Sequence, residues 1–395
     1  MSSMKQRRKC AVCGSAEKKS LFHQRFSGLS EGGLLDGYVV SVCANCGFGY
    51  ADEIPSQAAF DAYYRDMSKY ERQHCSGGGE ADLVRNQLTA NALVPFVPNT
   101  TARILDVGCA TGRLLGVLRE RGYGEVVGID PSSVCADLAS KLYGVKVLTH
   151  SIFDIPPSLA GFDVVTLISV IEHVQDLSPL MSRLSDLVAV GALLFVEHPD
   201  TTRFSKSSNG PFQEFSLEHI NYFSSVSLSN LMKRYGFVQI HSYQEDRESS
   251  GGTFEPSSSS LFRKGKAISQ EFVYDNETEK SLVRYIAEST VADESVHVII
   301  NELVNSAARI VVWGVGTHTQ RLMATSRLKD ANIRAFVDSN IRYQGKSLNG
   351  IPIMPPEVLK EMSEPVLISS PVFHQEIARQ MREELKVENR AILLY

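Results

Sequence analysis

The stretch Ile104-Leu105-Asp106-Val107-Gly108-Cys109-Ala110-Thr111-Gly112, followed by Val126-Val127-Gly128-Ile129-Asp130, carries most of the information about the fold. A run of β-formers ends in a glycine-rich turn. Apolar residues then fall at helical spacing (Leu114, Leu115, Val117, Leu118), and a second apolar run ends in an acid. That order predicts the βαβ start of a nucleotide-binding α/β fold. Small residues in the turn let the backbone approach a ligand, and the acid at the tip of the second strand can accept from two ribose hydroxyls. The plainer alternative is a tight strand-to-helix turn that holds nothing.

The spacing inside the turn discriminates between ligands. A dinucleotide loop wants G-x-G-x-x-G, with the pyrophosphate on amides at the helix N-terminus. Here the pattern is Gly108-x-Ala110-x-Gly112, with no third glycine and with Asp106 just ahead. An acid at that place suits a cationic ligand and repels a pyrophosphate. The D-x-G-C-x-T-G pattern resembles motif I of class I S-adenosylmethionine-dependent methyltransferases, whose ligand carries a sulfonium and an ammonium. The resemblance runs from Arg103 to Val196. It implies a cofactor site of Asp106, Gly108, Cys109, Ala110, Gly112, Asp130 and Pro131, with Asp130 on the ribose. Phe153 and Asp154 would flank the adenine, the carboxylate accepting from the exocyclic amine, and Ser169 opens the segment Ser169–Val174 beneath the cofactor. Within that segment Glu172 and His173 are read first as structural. Cys109 is read as a small residue that packing requires.

Length and composition set the frame. A chain of 395 residues suggests two or three domains. Hydrophobic content of 43% and charge of 22% are ordinary for a globular protein. A net charge of −5 argues against a general affinity for nucleic acid. No apolar run approaches the roughly 18 residues of a membrane span, and the basic start lacks the apolar stretch of a secretory signal. No membrane partner and a cytoplasmic location are therefore expected, for a monomer or homodimer. Four of the seven cysteines form Cys10-x-x-Cys13 and Cys43-x-x-Cys46, each pair followed by glycine. Two such turns predict four thiolates on a structural zinc ion. Disulfides are the competing reading, which a reducing compartment disfavours.

The chain is expected to divide into a zinc-binding module (1–55), a methyltransferase unit (56–245), a linker with a helical region (246–299) and a small Rossmann-like acceptor-binding domain (300–395). In the last of these, Ile310–Thr319 reads as strand and glycine loop, and Ile333–Asn340 as a second strand ending in Asp338. A loop is expected over Glu245–Ser260, from its clustered serines and glycines.

This order of units resembles the sugar C-methyltransferases that act on nucleotide-activated deoxysugars. The residues that carry the likeness are the four cysteines, the cofactor motif, Glu218-His219-x-x-Tyr222-Phe223-Ser224, and the C-terminal Gly-x-Gly with Val337–Asn340 and Gly350–Ile353. The resemblance implies that His219 is the base, with Glu218 beside it, and that the C-terminal loop recognises the acceptor's nucleotide or anionic carrier. A histidine titrates near neutrality and can take a proton from carbon next to a ketone. The same residue would serve a hydroxyl acceptor, so carbon and oxygen transfer both stand. Tyr222 reads equally as core or site, and His219 also as a structural histidine. Tyr70 and His74 occupy the place of a tyrosine and histidine of that family, with a different spacing, and Ser216 stands where the family has tyrosine. His198 and His318 are further candidates, the first for lining the pocket and the second for touching a phosphate. An RNA methyltransferase with a zinc module is the second class of function, which the acidic balance disfavours.

Overall fold

The computed structural model describes residues 5–30, 33–67, 80–156, 159–248, 253–266, 268–269 and 271–395. The N-terminal part holds β1 (Lys18–Arg25), β2 (Gly37–Cys43), β3 (Gly49–Asp52), α1 (Gln57–Met67) and α2 (Glu80–Leu93). The central part follows with β4 (Ile104–Val107), α3 (Arg113–Glu120), β5 (Val126–Asp130), α4 (Ser133–Tyr143), β6 (Lys146–Thr149), β7 (Phe162–Ile168), α5 (Leu177–Leu187) and β8 (Val188–Pro199). It ends with β9 (Asn221–Tyr222), α6 (Ser225–Lys233), β10 (Phe237–Glu248) and β11 (Phe254–Lys264). After α7 (Thr278–Ser306), the C-terminal unit comprises β12 (Ile310–Trp313), α8 (Thr317–Thr325), β13 (Ile333–Val337), β14 (Ser347–Leu348), β15 (Ile351–Met354), β16 (Val366–Ile368), α9 (His374–Arg379) and β17 (Ala391–Leu393).

The central sheet has the order β10-β11-β8-β7-β4-β5-β6. From β8 to β6 the pairs are parallel, and β11 and β10 add antiparallel strands at one edge. Helices on both faces explain why Ile104, Leu105, Val107, Val164, Val165 and Leu167 are all buried rather than alternating. Strand order reverses at β4 and β7, and in such sheets ligands settle in the crevice beyond the strand ends at that point. The C-terminal sheet, β14-β15-β13-β12-β16-β17, reverses in the same way at β12. This α/β architecture, with its Rossmann-like methyltransferase core, is the fold expected from the βαβ pattern.

One expectation needs correction. The loop over Glu245–Ser260 is largely strand: β10 runs on to Glu248, and Ser257–Ser260 of β11 pair with Val196–Pro199 of β8 and are buried. Four serines carry no apolar signal, yet the neighbouring strand satisfies their backbone groups. The first 55 residues, expected to have little core of their own, share one with the central sheet. Cys10, Cys43, Cys46, Phe48 and Tyr50 belong to one buried cluster with Leu105, Leu167, Phe223 and Met232. β3 pairs with β9, just beyond His219. Among the described residues, no helix is long and apolar enough to cross a membrane.

Candidate active site

Asp106, next to last in β4, is 3% exposed and accepts from the Thr166 hydroxyl at 2.7 Å. Burial pushes its carboxyl up to about 7, against the pull of that hydroxyl. Holding it ionised with no cation nearby costs on the order of 4 kcal/mol, so the site favours a positively charged ligand. The following turn needs glycine: Gly108 has φ +78, and a Cβ there would sit 2.6 Å from Val170 Cγ2. Cys109 turns its side chain into the core against Gly128, offering the crevice only its backbone, and burial raises its thiol pKa. Gly112 caps α3 in the left-handed region behind the loop. Asp130 accepts from the Ala110 amide through Oδ2 and the Ser132 amide through Oδ1, both at 2.9 Å. Its carboxylate thus fixes the loop while each oxygen keeps a lone pair for a ribose hydroxyl.

These residues open into a cavity of about 1950 Å³, whose walls include Asp106, Gly108, Ala110, Asp130, Pro131, Phe153, Asp154 and Ser169. Small-ligand sites usually measure about 300–1,000 Å³, so there is room for two molecules. Ser169 adopts φ +53 and accepts from Arg85 Nη2 at 3.1 Å. Arg85, on α2, also faces the cavity. Its position was not legible in the sequence, because its strand-side neighbours come from distant segments.

Deeper in the cavity the structure collects Glu172, His173, Glu218 and His219. The His173 and His219 rings meet edge-on with centroids 4.9 Å apart. His173 Nδ1 lies 3.0 Å from the Tyr64 hydroxyl and 3.1 Å from the Glu218 carbonyl. Tyr63 donates its hydroxyl to Glu218 Oε1 at 3.2 Å. Tyr63 and Tyr64 therefore bring polar groups to the site, where helical periodicity alone marks them as an apolar face. Glu172 is 2% exposed, and burial pushes its carboxyl up to about 8. It and His173, read first as structural, stand in the cavity beside His219.

The other candidates among the described residues do not join this cluster, although His318 lines the cavity. Tyr222 is in the core, 1% exposed, its hydroxyl donating to Tyr38 at 3.2 Å; it does not line the cavity. Pairing of β9 with β3 turns it inward. His198 packs against Phe223 rather than facing the cavity. His318 has both ring nitrogens engaged, by Gln213 at 2.9 Å and Tyr395 at 2.8 Å, and burial holds its pKa well below the usual value. With both nitrogens engaged, neither is open to a phosphate. Tyr70 and His74 lie outside the described residues.

The cavity's opposite wall belongs to the C-terminal unit: Gly314, Gly316, Asp338 and Tyr343. Asp338 accepts from the Val315 amide at 2.9 Å and the Asn340 amide at 2.7 Å. Asp130 grips its own loop in this same way, so two glycine loops, each pinned by the acid of the next strand, face one cavity.

The segment bearing His219 is held from behind by the N-terminus. Arg8, buried, donates to the carbonyls of Ala51 (3.0 Å), Ile220 (3.1 Å) and Gln175 (2.9 Å) and to Asn221 Oδ1 (2.8 Å). Nearby, Cys10, Cys13, Cys43 and Cys46 converge, with Cys10–Cys46 and Cys13–Cys43 sulfurs 3.5 Å apart. Four sulfurs at about 2.3 Å from one tetrahedral ion would be about 3.8 Å apart, so the cluster fits zinc with little movement.

Residues 83–242 match the family described as "Methyltransferase domain", and residues 306–393 match the one described as "C2185-like, N-terminal". The parallel strands β4 to β8 and the glycine loop thus lie within the residues that match a methyltransferase domain. The chain is 34% identical over 156 residues to a tRNA U34 carboxymethyltransferase of Ectopseudomonas mendocina, covering 38% of this chain and 48% of that protein. It is 24% identical over 218 residues to the O-methyltransferase cnsE of Penicillium expansum, covering 50% and 72%. Among solved structures it resembles the magnesium protoporphyrin IX methyltransferase of Synechocystis PCC 6803, at 14% identity and a TM-score of 0.39 over 53% of this chain and 99% of that one. The chain spans about half the length of the first of these relatives.

Proposed function

We propose that the protein transfers the methyl group of S-adenosylmethionine to a nucleotide-linked sugar, at the carbon beside a keto group. The observation that carries this reading is that two acid-pinned glycine loops, Glu218 and His219 all line one cavity. S-adenosylmethionine supplies an electrophilic methyl group on a sulfonium. Asp106 and Asp130 would bind its ammonium end and its ribose, Phe153 and Asp154 its adenine, and Arg85 is placed to take its carboxylate. Asp338 and the Gly314–Gly316 loop would hold the acceptor's nucleotide, which brings the sugar between the loops. His219 would accept the proton from the acceptor carbon, with Glu218 beside it and the Tyr64 hydroxyl close enough to donate to an enolate oxygen.

A hydroxyl acceptor would use the same histidine, and the likeness to an O-methyltransferase supports that second reading. The net charge of −5 weighs against an RNA acceptor, despite the likeness to a tRNA-modifying relative. The test is mass spectrometry after incubation with methyl-labelled cofactor and a panel of nucleotide sugars. Label on carbon, with solvent exchange of the acceptor proton in the absence of cofactor, is the expected result. Label on oxygen selects the second reading, and label on transfer RNA alone defeats both.

The four cysteines would hold a structural zinc ion. Metal analysis should find about one zinc per chain. Because the same buried cluster includes Leu105 and Phe223, removing the ion should lower the melting temperature of the whole central unit. A metal-free protein with unchanged melting would remove the assignment.

A further inference from the structure

Glu172, His173 and His219 offer one carboxylate oxygen and two imidazole nitrogens within 4.8 Å of one another, at the wall of the cavity. Both Glu172 oxygens are buried and have no hydrogen-bond partner among the described residues. His173 Nε2 stands 3.8 Å from Glu172 Oε1, too far for a hydrogen bond. His173 Nδ1 reaches the Glu218 carbonyl at 3.1 Å. The Tyr64 hydroxyl lies 3.0 Å from the same nitrogen, and when Nδ1 carries the proton the ring's lone pair is on Nε2, the nitrogen on the Glu172 side. A ligating histidine is commonly oriented by this kind of second hydrogen bond.

We propose that these three residues form a divalent-cation site, of the two-histidine, one-carboxylate type, that leaves coordination positions open to the cavity. With donors about 2.1 Å from the ion, tetrahedral angles set each pair about 3.4 Å apart, so side chains now within 4.8 Å of one another must close by up to about 1.4 Å. The ion would satisfy the orphaned carboxylate, and its open positions would face the acceptor. The proposal rests on the reading above in one respect. An imidazole nitrogen that ligates an ion cannot also take a proton, so the ion and His219's service as base exclude each other.

Manganese(II) is the probe, because it prefers nitrogen and oxygen donors and spares the four thiolates. Titration of the full chain, followed by the loss of the free-ion paramagnetic resonance signal, should give one site per chain. Glu172→Gln should weaken that site at least tenfold. This change is nearly isosteric, so the fold should persist. His173→Gln should weaken the site comparably and serves as the second variant. Failure of the wild-type chain to bind manganese, or equal binding by both variants, overturns the site. Turnover measured in parallel separates the two claims. Inhibition by manganese that is lost in Glu172→Gln, relative to that variant's own ion-free rate, supports both. Activation by manganese keeps the site and overturns His219 as the base.

Discussion

Replacing His219 by alanine should lower methyl transfer at least a hundredfold while leaving cofactor affinity within a factor of about two. A positioned general base contributes roughly 10² to 10⁴ in rate, and His219 lines the cavity on a segment separate from the cofactor loop. The segment should keep its shape without the imidazole. Its backbone is tied by the Ser216 hydroxyl accepting from the His219 amide at 3.1 Å, and by Arg8 on the carbonyl of Ile220. Single-turnover rates with labelled cofactor, beside calorimetric titration of S-adenosylhomocysteine, separate chemistry from binding. A rate near that of the wild type would remove His219 as the proton acceptor. A rate and an affinity that fall together would point to a collapsed cavity.

Asp130→Ala is the second large effect, and it strikes the other half of the reaction. The carboxylate accepts two backbone amides, one of them inside the cofactor loop, and is placed to accept from the ribose as well. Hydrogen bonds to a charged group are worth about 1.5–3 kcal/mol each. Losing the ribose contacts together with the pinning of Ala110 should therefore cost about 3 kcal/mol of binding, or roughly a hundredfold in Kd. Calorimetry with S-adenosylhomocysteine reads this directly, and thermal melting checks that the fold survives. An unchanged Kd would mean that the ligand does not sit on this strand end. Asp130→Asn is the informative companion, since it keeps one acceptor oxygen and should fall between the two.

Legibility followed the distance along the chain between cooperating residues. The cofactor loop reads directly because its parts are consecutive: a strand, a turn that only small residues can make, and an acid one helix later. The four cysteines read for a related reason, since each pair brings its own tight turn. The proton-transfer cluster does not read this way. His173 and Glu218 are 45 residues apart, and Tyr63 and Glu218 are 155 apart. No periodicity links such positions, so Tyr63 and Tyr64 pass for a helix's apolar side and Glu172 and His173 for scaffold. Tyr222, read equally as core or site, goes the other way. It sits in a motif that suggests a site, but strand pairing faces it inward.

The amino-acid order by itself determined the α/β class, the charge preference of the cofactor crevice and the clustering of thiols, because each depends on short-range geometry and residue chemistry. Only the tertiary structure decided that a basic N-terminal residue, Arg8, becomes a buried brace for the His219 segment, and that a run of serines completes the central sheet. It alone set two glycine loops across one cavity. Those outcomes depend on which surfaces pack together, and burial, through desolvation and the satisfaction of backbone groups, then gives each residue its role.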